Sequence, residues 1–143
     1  MTMTSRRDIL KTIPVAGLAA IVPAAAATVT ETDETRDAEL LRLETEFIGA
    51  LHWWDQATDA TAAVELEYEA GRATFARLLG VEGAEAKRAE AASALADQIR
   101  DTRPKTTVGL MSKLRVFERW NFEDDEIAPV IMADAKAIEG NQG

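Results

Sequence analysis

From Leu40 onward, apolar or small residues recur as Leu40, Leu43, Phe47, Ala50, Trp54, Ala57, Thr61, Val64, Tyr68, Gly71, Phe75 and Leu78, in steps that alternate between three and four. That spacing returns one side chain per turn to the same stripe of an α-helix, and the two-residue period of a strand does not reproduce it. Such a stripe is the seam of a helix packed lengthwise along others. It predicts one long helix over about 37–79, roughly 65 Å at 1.5 Å per residue. A single interior glycine costs about 1 kcal/mol relative to alanine, so Gly71 does not stop the helix on this reading. A bend near residues 59–61 is compatible with it.

After a turn at Gly80-Val81-Glu82-Gly83, a second helix is expected from about Ala84 to Asp101, with Ala89, Ala92, Leu95, Ala96 and Ile99 inward. Pro104 breaks the chain, and Thr106 or Thr107 caps a third helix whose face is read as Val108, Met111, Leu114, Phe117 and Trp120. A fourth helix starts near Asp124 or Asp125, carries Pro129 early and ends at Gly140. Leu41, Ile48, Leu51 and Trp53 widen the apolar arc of the long helix between residues 40 and 54, whereas Glu65, Glu67 and Glu69 narrow it further on. The second helix is therefore expected antiparallel on residues 60–79, with the third and fourth around 38–57. The fold class is all-α: one long helix with three shorter ones folded back along it as a bundle with coiled-coil character. One helical domain is assigned to residues 37–140, preceded by an acidic flexible segment at 28–36.

The first 27 residues have the three zones of a cleavable export signal. Two arginines precede an apolar run from Thr12 to Val22, and alanines follow it. The run is shorter than the roughly 20 residues that span a bilayer, and Pro14, Gly17 and Pro23 interrupt it. Ser5-Arg6-Arg7-Asp8-Ile9-Leu10-Lys11 resembles the twin-arginine signal, with Ile9 in place of the usual phenylalanine. That resemblance implies passage through the twin-arginine export machinery to a periplasmic or extracellular location. Cleavage after Ala26 or Ala27 would start the mature chain near Ala27 or Thr28, with no stable membrane insertion afterwards.

Removing residues 1–27 takes away Arg6, Arg7, Lys11 and Asp8 and leaves 13 basic and 24 acidic side chains, a net charge of about −11. Such a surface repels phosphate backbones and disfavours nucleic acid as a partner. The chain has no cysteine, so packing alone must hold an exported fold.

Candidate chemistry is sparse. His52 is the only histidine. With Asp55 and Asp59 it stands at helical spacing for a metal, but on the side away from the seam, where a solvated ion pair is the expected arrangement. One imidazole and no cysteine exclude di-iron Glu-x-x-His pairs and zinc sites with several His or Cys ligands. Glu44 lies inside the apolar arc and is expected to find Arg115 or Arg119. Glu123-Asp124-Asp125-Glu126 lacks the spacing of a calcium loop and reads as an acidic helix start. Ser93 and Ser112 sit in no nucleophile motif, and no phosphate or dinucleotide loop occurs. No catalytic residue, metal ligand or cofactor is assigned.

Thr102-Arg103-Pro104-Lys105-Thr106-Thr107-Val108-Gly109-Leu110-Met111-Ser112-Lys113-Leu114-Arg115 resembles the carboxy-terminal segment of short bacterial twin-arginine-signal proteins of unknown function. The resemblance implies no activity, cofactor or catalytic residue. The leading expectation is a non-enzymatic interaction or structural module that meets another protein or a second copy through Leu41, Ile48, Leu51, Trp53, Trp54, Phe117 and Trp120. The alternatives are a carrier of a small apolar ligand, in a pocket of Phe47, Trp54, Leu114 and Phe117, and a metal or enzyme site built on Glu44, Asp55 and Asp59.

Overall fold

Thr32 begins the part of the chain that the computed structural model describes, residues 32–141, and its hydroxyl accepts the Thr35 amide at 3.1 Å to cap the first helix. Five helices follow: α1 (Asp33–Arg36), α2 (Ala38–Glu69), α3 (Phe75–Asp101), α4 (Thr107–Arg119) and α5 (Asp124–Asn141). The all-α architecture agrees with the periodicity of the sequence, and no strand occurs among the described residues. None of the described helices is long and apolar enough to cross a membrane. The predicted leader at 1–27, with Ser5, Arg6, Arg7, Asp8, Ile9, Leu10 and Lys11, lies outside the described residues. Of the segment expected to be flexible at 28–36, residues 33–36 form α1 instead.

The long helix stops at Glu69, ten residues before the expected end. Gly71 adopts φ 74°, which only glycine enters readily. Its amide bonds the Tyr68 carbonyl at 3.0 Å and the Arg72 amide bonds that of Glu67 at 2.7 Å, the paired closure that ends many helices. Thr74 restarts the chain, its hydroxyl accepting the Arg77 amide at 3.2 Å. The turn expected at 80–83 is absent. Gly80 and Gly83 lie inside α3, where a β-carbon would meet nothing within 4 Å, so they need no special backbone.

Because α3 starts early, it runs antiparallel beside nearly all of α2, beyond the expected stretch of 60–79. The register is marked by the Arg77–Glu67 ion pair at 2.5 Å, by Thr61 donating to the Val81 carbonyl at 3.2 Å and by Thr58 donating to Glu85 at 3.2 Å. Leu40, Leu43, Phe47, Ala96, Ile99 and Val116 form the core, bordered by Leu51, Leu95, Trp120 and Phe122. Each large apolar side chain buried there contributes about 1.5–3 kcal/mol.

Helix α4 covers the base of this hairpin and runs parallel to α2. Its first turn meets Asp37, its middle meets Glu44, and Trp120 just beyond its end lies 5.8 Å from both Phe47 and Trp54. Its buried face differs from the expected one. Gly109, Ser112, Lys113, Val116 and Phe117 are inside, whereas Met111 is exposed. Helix α5 packs on α4 through Asp134 and Ile138, rather than around residues 38–57 as expected for the fourth helix. Its acidic start follows the predicted reading, and Glu126 pairs with Arg100 of α3 at 2.5 Å.

Candidate interaction surface

Three buried polar clusters fix α4. At its amino terminus the Asp37 carboxylate accepts the amides of Lys105 and Thr106, each at 2.8 Å, the Thr106 hydroxyl at 2.5 Å and the Gly109 amide at 3.2 Å. A side chain from 68–72 residues away thereby satisfies donors that a helix start leaves free, with its charge at the favourable end of the dipole. A β-carbon on Gly109 would collide with the carboxylate of Asp37, so glycine is required there.

One turn on, Arg115 grips Glu44 with two bonds of 2.7 Å and Ser112 donates to the same carboxylate at 3.1 Å. The hydrogen bonds from Arg115 hold the Glu44 carboxyl below the ordinary carboxylate range, against the opposing effect of burial. On the opposite side, Lys113 is fully buried. Its ammonium donates to the carbonyls of Arg100 and Thr102 at 2.7 and 2.9 Å and to Asp134 at 2.6 Å. It caps the end of α3 and ties α3, α4 and α5 together. The segment Thr102–Arg115 supplies a partner in all three clusters. Among the described residues no buried side-chain polar atom lacks a partner.

The residues expected to form an interaction surface divide into four settings. Ile48 is 45% exposed, with Leu51 and Trp54 half-buried beside it. These line two adjoining half-open grooves of about 430 Å³ each between α2 and α4, in which Ile48 and Arg119 are shared. Leu41 is half-buried one turn before Glu44. Trp53 is 51% exposed and stands about 140° around α2 from Ile48. Its ring lies under the Arg88 guanidinium at 5.3 Å, away from the groove. Phe117 is buried at 5.5 Å from Phe122, and Trp120 closes the core. Phe47 lines the groove with Glu44 and Val116, but Leu114 and Phe117 do not, so the pocket expected for a carrier is not assembled from those four residues.

His52 hydrogen-bonds Gln56 at 3.0 Å rather than Asp55 or Asp59. No group of three His, Cys, Asp or Glu side chains among the described residues is placed to hold a metal ion. The sequence reading offered Thr106 as a cap, which it is, but missed Asp37, Lys113 and Asp134, because hydrophobic periodicity carries no sign of a buried charge. The one signal was the small-polar series Gly109, Ser112, Lys113 and Val116, which has helical spacing. Compared with known proteins, the chain matches no family model, no curated protein and no solved structure.

Proposed function

We propose that the protein is an exported, non-enzymatic interaction module and that the α2–α4 groove receives another protein or a second copy. The observation that carries this reading is the exposed Ile48 beside Leu51 and Trp54, on a floor formed by the core residues Phe47 and Val116. Contiguous apolar surface of this kind is where soluble proteins meet partners. The buried charges support a structural role, since each is held by groups of the same chain. Cross-linking of the exported protein in place tests the groove. Ile48→Asp is expected to abolish the cross-linked species while helical content stays unchanged; an unchanged cross-linking pattern rejects the groove as the contact.

The volume of the groove favours a second reading, a small apolar ligand held against Trp54. Saturable quenching of tryptophan fluorescence by an aliphatic probe, lost in Ile48→Asp, would distinguish that role.

A further inference from the structure

Asp37, Glu44, Leu51, Thr58 and Glu65 follow one another at strict seven-residue intervals, and so share one edge of α2. The first two positions hold α4, through the donors around Thr106 and through Arg115 with Ser112. Helix α4 meets this edge with amide and hydroxyl donors at Asp37 and with the Arg115 guanidinium at Glu44, and Trp120 just beyond its end lies against Phe47 and Trp54. Beyond Trp54 the same edge continues for about four turns, roughly 21 Å, where α3 is its one neighbour among the described residues, met by Thr58 through Glu85.

That distal stretch has an apolar floor and an acidic border. The Tyr68 and Phe75 rings lie 6.1 Å apart, tilted by 48°, and Phe75 and Leu79 are 58% and 51% exposed. Glu65 and Glu69 stand within about 100° of Tyr68 on α2, and Glu82 and Glu90 within about 60° of Phe75 or Leu79 on α3. All four glutamates are exposed, and none forms an ion pair among the described residues. Arg77 and Arg88 lie about 160° and 180° around α3 from Leu79, bound to Glu67 and Trp53; Arg72 in the turn and Lys87, about 80° from Leu79, stand nearer, and the four glutamates outnumber them. From Leu43 to Gly71 the chain has seven acidic residues and no lysine or arginine.

We propose that this distal edge docks a basic amphipathic helix of a partner protein, in line with α4 and in the same manner. Its apolar face would rest on Tyr68, Phe75 and Leu79, and its lysines or arginines would meet Glu65, Glu69 and Glu82. The α2–α3 hairpin is then an arm that presents one partner site already filled by the chain's own helix and one still open. The proposal rests on the interaction reading and names a partner class for it, at a surface separate from the α2–α4 groove.

The test is titration of the full chain with a fluorescein-labelled, 18-residue helical peptide of leucine, alanine and lysine, followed by anisotropy. A peptide with glutamate in place of lysine is the control. Saturable binding of the lysine peptide alone is expected, weakened at least about tenfold by Phe75→Ser with Leu79→Ser, which leaves every charge in place. Ile48→Asp should bind the peptide as the wild type does, which separates this site from the groove. Equal affinity in the Phe75/Leu79 variant would mean non-specific attraction to an acidic surface and would overturn the proposal, as would no saturable binding. Light scattering adds a third arm: a dimer that dissociates in the same double variant would assign the edge to a second copy and likewise overturn it.

Discussion

Lys113 shows how much of this fold rests on single buried charges. Its ammonium has three oxygen partners and no solvent contact. Lys113→Ala would leave the buried Asp134 with Arg103, 4.0 Å away, as its one cation and two carbonyls without this donor; breaking a buried pair typically costs about 3–5 kcal/mol. Urea denaturation should show that loss, and Lys113→Met combined with Asp134→Leu should recover part of it, since the orphaned charge is then gone. Gly109→Ala drives a methyl group into the Asp37 carboxylate and should lower stability despite the better helix propensity of alanine. Glu44 gives a pH dependence whose sign follows from its depressed folded-state value. Its contribution is present above the unfolded carboxylate value of about 4.3 and is lost as pH falls through the lower folded one. Melting temperature should therefore fall more steeply on acidification in the wild type than in Glu44→Gln. None of these three roles shows in a hydrophobic pattern, except that Arg115 was one of two expected partners for Glu44.

At the scale of elements, the seam of α2 was legible because apolar periodicity records which stripe is covered, and its members from Leu40 to Val64 are buried or half-buried. The end of that helix was not, because Phe75 and Leu78 of α3 happen to continue the three-four spacing across the turn. The decisive signals were local: a glycine at a helix end and a threonine three residues later. Gly71→Ala forces alanine to φ 74° and should destabilise by about 1 kcal/mol, measurable by thermal melting, whereas Gly80→Ala inside α3 should stabilise by a similar amount. The face of α4 was misread for a different reason. Its inner residues are small or charged, so the apolar stripe Val108, Met111, Leu114 and Phe117 drew the reading about a quarter-turn away. The groove residues Ile48, Leu51 and Trp54 were anticipated, but the separation of Trp53 from them depends on where α4 sits.

For the molecule as a whole, one end of the α2–α3 hairpin forms a base with α1, α4 and α5, and its other end is a two-helix arm, with the core at the base. The arm is held mainly by the narrow buried set Thr61, Val64 and Leu78. Hydrogen exchange should therefore be fastest near residues 66–79 and slowest around Phe47, Ala96 and Val116. The export expectation belongs to this scale as well: Arg6→Lys with Arg7→Lys should leave the unprocessed chain in the cytoplasm, and undiminished export would reject the twin-arginine reading. The clamp on Asp37 bears on the timing of synthesis. The carboxylate sits close behind the proposed leader, and the amides it binds belong to residues 105–109. A growing chain cannot make that closure until residues 105–109 have been translated, so the start of the folded domain stays open until a segment 68–72 residues downstream has left the ribosome.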